Sequence, residues 1–259
     1  MSRSNTSDAL SLLGRREGVL RRVRSDGSRK CEILADLSAS RSTLDRAIRE
    51  LVDAGFVGRV DGVYHRTLAG ELALEEYDRL AGRVDALLAS RPLLDGLSSA
   101  DDVDAALFEG ATVVTSERLS PQAPLRHYVD LVDRSAYVVG FASAVFPSQI
   151  DSFRERLLDG ELRSRMVITD PVFERLVSRY SDALRDGLGT GRIEIRRTRS
   201  LPPYSLVVAS TAERSEVGLL DFEGNGVRGF LRNDDPAAVD WARRRIATRW
   251  REAEPIPSL

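Results

Sequence analysis

Cysteine is almost missing from this chain. A single residue, Cys31, in 259 excludes an intrachain disulfide and any cysteine-built zinc or iron–sulfur site. Lysine is equally scarce: Lys30 stands alone, and the other 37 basic residues are arginines. Lys30 follows Arg29 and not glycine, which excludes a phosphate loop of the Walker type. A Schiff-base enzyme would have only that amine to use. Histidine occurs twice, as His65 and His127, far apart in sequence. The arginine bias itself is the ordinary mark of a GC-rich genome and says nothing of mechanism. Long apolar runs are missing too: no stretch approaches the roughly 18 residues of a spanning helix. The first eight residues are polar and lack the apolar core of a signal peptide. The expectation is a cytoplasmic protein with no membrane contact and no cofactor.

What remains is globular in character, with 42% hydrophobic and 30% charged residues. The net charge of −2 is unevenly spread. Residues 1–70 hold 13 Lys and Arg against 9 Asp and Glu, an excess of +4, and the remainder carries −6. A basic head on an acidic body suits a protein that presents one end to a polyanion.

Residues 8–24 place Leu12, Leu13, Arg16, Val19, Leu20 and Val23 at spacings of three and four, which predicts an amphipathic helix. The run Ser25-Asp26-Gly27-Ser28 stops it. A short helix over 29–37 follows, then the connector Ser38-Ala39-Ser40, whose last serine can cap the next helix. That third helix, 41–54, buries Leu44, Ala47, Ile48, Leu51 and Val52, and Gly55 closes it. Asp61-Gly62 between the short β-prone runs 56–60 and 63–66 predicts a two-residue hairpin. Thr67 caps a long fourth helix, 68–88. The order helix, helix, turn, helix, hairpin is that of a winged helix-turn-helix.

From residue 91 onward strands and helices alternate. Strands are expected over 111–115, 136–141, 165–169, 192–196, 205–209, 217–221 and 226–231. Helices are expected over 124–133, 150–158, 173–188 and 236–252, with a turn at Glu223-Gly224-Asn225-Gly226. The fold class is therefore a two-domain α/β chain. Residues 1–90 form a winged helix-turn-helix with a linker helix. Residues 91–259 form a mixed, mostly parallel sheet flanked by helices.

Ser40, Arg41, Ser42, Arg46 and Arg49 lie on or beside the third helix, away from its apolar face. Serine and arginine there suit phosphate oxygens, and arginine also suits guanine in the major groove. A charged helix face is often only a solvated one; the serine turn and the Asp-Gly wing tilt this one toward double-stranded DNA. Arg59, His65 and Arg66 flank the wing and are placed to reach backbone or minor groove. Asp45 would repel phosphate unless it reads a cytosine amino group or lies off-axis.

In the second domain a cleft is expected at the carboxyl ends of the strands. Ser143, Thr169, Asp170 and Tyr204 would lie there, with Arg126, His127 and Arg134 favouring an anionic metabolite; each could instead serve a turn or cap. Ser116, Ser143 and Ser205 lack the G-x-S-x-G setting of a hydrolase nucleophile. His127 has no lysine near it to form the His–Lys pair of a paired-histidine phosphodiesterase. The apolar stripe Leu72, Leu80, Val84, Leu87 and Leu88 could pair with a second copy or pack on the second domain.

Several ordered segments carry a family resemblance: Pro121-Gln122-Ala123-Pro124-Leu125, Ser135-Ala136-Tyr137-Val138-Val139-Gly140-Phe141, Leu201-Pro202-Pro203-Tyr204-Ser205-Leu206 and Arg232-Asn233-Asp234-Asp235-Pro236-Ala237-Ala238-Val239-Asp240-Trp241-Ala242. From residue 111 nearly to its end the chain resembles archaeal winged-helix regulators with a methanogenesis-regulator (FilR-type) sensor domain. The resemblance implies transcription control, a DNA-binding head and no catalytic set. Gln122 stands where a histidine is usual, and Tyr204 where phenylalanine-glycine is usual. The expectation is a dimeric, effector-responsive transcription regulator and not an enzyme. The alternatives are a cryptic hydrolase with a helical appendage and a winged-helix adaptor for protein partners.

Overall fold

The computed structural model describes residues 3–35, 37, 40–97, 103–224 and 226–256. Ser38 and Ala39 of the expected connector and Asn225 of the expected turn lie outside them. The chain divides into two compact units, Met1–Val84 and Asp85–Leu259.

The first unit is built from α1 (Arg3–Leu20), α2 (Lys30–Ala35), α3 (Arg41–Asp53), the hairpin β1 (Val57–Val60) and β2 (Val63–Arg66), and the start of α4 (Leu68–Ala89). Leu13, Leu20, Val23, Ile33, Leu44, Ile48 and Leu51 are buried in one cluster with Val57, Tyr64 and Leu74. Val52, expected inside, is 36% exposed, because it sits at the edge of the α3 stripe. Helix α1 ends at Leu20, earlier than its periodicity suggests, and the turn that follows still buries Val23.

Local chemistry fixes the ends of α3. Ser40 is extended, and its Oγ accepts from the Thr43 N–H at 3.2 Å. At the other end Gly55 has φ +76, its N–H donates to the Val52 carbonyl, and the Phe56 N–H donates to that of Leu51. That pair of bonds satisfies the last carbonyls of the helix and turns the chain into β1. Asp61 and Gly62, both at positive φ, close the hairpin with Val60 paired to Val63. Ser28 adds a bridge to Tyr64 on the outer side of β2. Thr67 Oγ1 accepts from the Gly70 N–H and starts α4.

The second unit holds one eight-stranded sheet. Its strands are β3 (Thr112–Thr115), β4 (Tyr137–Ala142), β5 (Arg163–Thr169), β6 (Ile193–Thr198), β7 (Tyr204–Ser210), β8 (Ser215–Glu223), β9 (Gly226–Asn233) and β10 (Glu254–Pro255), in the order β10-β6-β5-β4-β7-β8-β9-β3. Only β4–β5 and β5–β6 pair in parallel; every other neighbouring pair is antiparallel. The expectation of a mostly parallel sheet is therefore wrong. A parallel return needs a connection of about a dozen residues, and among consecutive strands that become sheet neighbours only β4–β5 and β5–β6 are joined by helical links of that length. The turn 211–214 and the turn at Gly224 are too short for a crossover.

Residues 199–203 join β6 to β7 across the width of two intervening strands. Three strand spacings are about 14 Å, within the reach of so short an extended segment. The Leu201-Pro202-Pro203 run thus passes along the carboxyl ends of β5 and β4.

Side chains alternate between the two sheet faces. Phe141, Val167, Tyr204, Leu206 and Val208 point to one, where α10 (Pro236–Glu252) packs through Ala238, Val239, Trp241, Ala242 and Ile246. Val138, Ala142, Met166, Ile168 and Val207 point to the other. That face carries α6 (Ala123–Asp133), α7 (Pro147–Leu158), α8 (Asp170–Arg179) and α9 (Ser181–Gly189). A short α5 (Arg91–Leu94) precedes β3. The single helix expected over 173–188 is two. Tyr180, at φ −134 and ψ 32, breaks it, and Ser181-Asp182 restart it with residues suited to a helix N-terminus.

Candidate functional site

In the first unit, Ser40, Arg41, Ser42, Asp45, Arg46 and Arg49 are all exposed. The alternation of apolar and charged positions along α3 puts them on the side away from Leu44, Ala47, Ile48 and Leu51. Of the three acids on this side, Asp53 is exposed in the last turn with no ion pair within 4 Å among the described residues, and the other two are not free. Asp45 accepts from Lys30 Nζ at 2.5 Å, and that bond, then the charges of Lys30 and Arg49, hold its carboxyl below the usual range. Glu50 accepts from Arg16 at 2.9 Å and from Arg46 at 3.1 Å and is likewise lowered, mainly by Arg16. Arg41 and Arg49 form no ion pair within 4 Å among the described residues. The objection that Asp45 repels phosphate is thus met by Lys30, a residue absent from the expected site. Its ammonium also lies 5.6 Å from the Tyr64 ring centroid.

The wing presents Arg59, exposed and 5.5 Å over the same Tyr64 ring. His65 lies across the hairpin on Gly58; a Cβ at Gly58 would come within 2.3 Å of its Nε2. Half-buried, the imidazole covers the strand as much as it faces outward. Arg66 does not join this surface. Its side chain is 22% exposed and its Nε lies 3.9 Å from Glu71 in the first turn of α4.

The seven residues expected around a cleft in the second unit are not all brought together. Ser143 follows β4 and Thr169 ends β5, neighbours at the carboxyl ends of two parallel strands, with Asp170 next in line and 3.9 Å from Arg197. Arg134 sits before β4, about 16 Å of strand away, and donates to buried Glu216 at 2.8 Å. Arg126 and His127 are exposed on α6. Tyr204 is fully buried against Phe141, 5.7 Å between ring centroids, and belongs to the core under α10. An arginine-lined anion pocket does not form from these positions.

A different hollow does form on the opposite face of the sheet, enclosed by α7, α8 and α9 over β4, β5 and β6. It measures about 90 Å³ and is lined by apolar side chains such as Val145, Phe153, Met166, Ile168 and Leu184. Two polar residues reach it. Arg154 is held by Asp186 at 2.5 Å. Gln149, only 6% exposed, donates from Nε2 to the Tyr128 hydroxyl at 3.1 Å. Burial pushes Tyr128 far above the usual phenol range, so its hydroxyl stays neutral. Gln149 was legible in principle as a polar residue four positions before Phe153 and eight before Leu157 on the buried face of a helix. Among the described residues no group of three His, Cys, Asp or Glu side chains is placed to hold a metal ion, and no helix is long and apolar enough to cross a membrane.

Residues 121–252 match the model of the methanogenesis regulatory protein FilR1 middle domain. The chain belongs to the FilR1 family. Its head, residues 4–89, matches the HVO_A0261 N-terminal domain. No curated protein matches the sequence of this FilR1-family chain. Among solved structures it is similar to TrmBL2, an archaeal chromatin protein that shows a novel mode of DNA binding. The TM-score is 0.43 and the identity 14%, over 96% of this chain and 99% of that one. A phospholipase D family member and a second solved structure are also similar. Nuc from Salmonella typhimurium has a TM-score of 0.44 at 14% identity, over 57% of this chain and 98% of that one. NucT from Helicobacter pylori has a TM-score of 0.44 at 8% identity, over 56% and 98%. Likenesses this faint decide nothing about chemistry. The family resemblance read from the ordered segments of the sequence is borne out, and the chain is a transcription regulator.

Proposed function

We propose that this regulator binds double-stranded DNA by laying α3 in the major groove, with the β1–β2 hairpin against the neighbouring backbone. The observation that carries the reading is the α3 surface itself. Arg41, Arg46 and Arg49 are exposed on a helix fixed at both ends, and two of the three acids near them, Asp45 and Glu50, are already neutralised by Lys30 and Arg16, which leaves Asp53 in the last turn. A positive surface of this kind displaces counterions from the duplex. Affinity should therefore fall steeply with salt, and the slope of log affinity against log salt should shrink by about 1 for each phosphate-contacting arginine removed. Fluorescence anisotropy on a labelled duplex between 50 and about 200 mM salt measures this. Binding that ignores salt would contradict it.

The second unit is proposed to bind an effector and to perform no reaction. His127 is exposed on α6 with no lysine in that unit to pair with it. An effector acts only through a difference in its affinity for the DNA-competent and incompetent arrangements.

We also propose a homodimer. One recognition helix reads a short half-site, and two-fold pairing doubles the contact. Helix α4 leaves Leu72, Leu80 and Val84 about half exposed along one stripe, and a second copy of the chain is the occupant that this symmetry calls for. Leu87 of the same stripe takes the other expected course and packs against the core under α10. Light scattering at tens of micromolar should give twice the chain mass, and Leu72→Glu with Leu80→Glu should halve it. A wild-type monomer that still binds DNA tightly would remove the dimer.

A further inference from the structure

The cavity between α7, α8, α9 and the sheet holds more information than its shape. We propose that it binds a small, uncharged, mostly hydrocarbon molecule carrying one hydrogen-bonding group, and that the Gln149 amide is the polar anchor. The site stands independently; only its regulatory meaning rests on the effector reading above.

Three observations point this way. First, the Oε1 of Gln149 is buried without a hydrogen-bond partner among the described residues. Native interiors rarely leave such an atom unpaired without a reason. If the amide is turned over, it accepts from Tyr128 and leaves its N–H groups unpaired instead, so one polar atom remains available in either orientation. Second, water is a poor occupant. A buried water needs two to four polar partners, whereas apolar cavities stay dry and take up apolar ligands. Here the lining offers the single amide, since Arg154 is engaged by Asp186.

Third, the lining sets charge and size. Among the described residues no carboxylate lines the cavity and its one cation is paired, so an ionic ligand would lose its hydration without gaining a partner. An apolar cavity of about 150 Å³ accommodates benzene. This one is smaller, at about 90 Å³, but open on one side, so it suits a short branched chain or one small ring that projects partly through the opening. Arg154 is its only exposed lining residue and marks the side open to solvent.

Phenol is the probe, because its hydroxyl both donates and accepts; benzene is the control that lacks it. Titration of the full chain followed by NMR should show saturable phenol binding. Gln149→Leu should weaken phenol by about tenfold and leave benzene unchanged or tighter, as expected when the partner of a buried hydrogen bond is removed. Ala183→Leu should fill the space and abolish both. If that variant unfolds, Gly187→Ala narrows the same cavity, its Cβ meeting Leu157 at 3.4 Å. No saturable phenol binding in the wild type, or equal binding in the filled variant, overturns the site. A threefold or larger change in DNA affinity at saturating phenol supports the site as the effector pocket. Saturable binding with no change in DNA affinity keeps the site and overturns the effector reading instead.

Discussion

Replacing Arg41, Arg46 and Arg49 together by alanine is expected to lower affinity for duplex DNA by two to four orders of magnitude. A good bidentate contact to guanine is worth about 1–3 kcal/mol, and each lost phosphate contact adds a salt-dependent increment. With two of the three on bases and the third on phosphate, the loss is roughly 3–6 kcal/mol. The fold should survive, because none of the three is buried and the core of α3 comes from Leu44, Ala47, Ile48 and Leu51. Glu50 keeps Arg16 as a partner when Arg46 is removed. Single variants separate the roles: an arginine on a base relaxes sequence choice, and one on phosphate weakens all duplexes alike. Circular dichroism shows that the variant is folded, and anisotropy gives its affinity. A folded triple variant binding within about twofold of wild type would remove α3 from the interface.

Gly140→Ala should destabilise the second unit by about 3 kcal/mol or more. Gly140 lies in the middle of β4, where the parallel and antiparallel halves of the sheet meet. An added Cβ would stand 2.3 Å from the Leu206 carbonyl oxygen and 2.7 Å from Val207 Cγ1. Overpacking usually costs about 1–3 kcal/mol. A backbone carbonyl held in a ladder yields less than a side chain, which places this case at the upper end. For a unit of this size each kcal/mol shifts the unfolding midpoint by about 2–4 °C. Calorimetry should therefore show the second unit's transition lowered by roughly 6–12 °C. A midpoint within about 2 °C of wild type would show that β4 and β7 can separate at no cost.

The first unit was readable because its punctuation is local. Ser40, Gly55, Asp61-Gly62 and Thr67 each fix a helix end or a turn through their own backbone preferences, and the structure uses all of them. The strands of the second unit were also readable as strands, since their apolar runs are long enough to cross a buried sheet. Their pairing was not. Direction depends on the length of each connection and on which neighbour a strand meets. The five residues before Tyr204 gave no hint that they pass over β5 and β4 to reach β7.

Tyr204 illustrates the same limit for the site. Its position after Pro202-Pro203 looks like a loop, whereas antiparallel pairing with β4 and β8 buries it completely. Arg134 and Ser143 looked close to one site because β4 is short, yet they flank opposite ends of it. Lys30 and Asp45 are fifteen residues apart and belong to different helices, so their pairing follows only from the packing of α2 on α3. Gln149 lay hidden because an isolated polar residue on an apolar face usually finds a partner. Only the fold shows that half of its amide has none.

The central claim is that the winged unit places α3 on specific genomic DNA. The most direct measurement is capture and sequencing of genomic DNA bound to the tagged full-length chain, wild type beside the Arg41/Arg46/Arg49 triple alanine variant. The account predicts discrete, reproducible sites with the wild type and their loss with the variant. Equal enrichment by both proteins, or none above input by either, would contradict it.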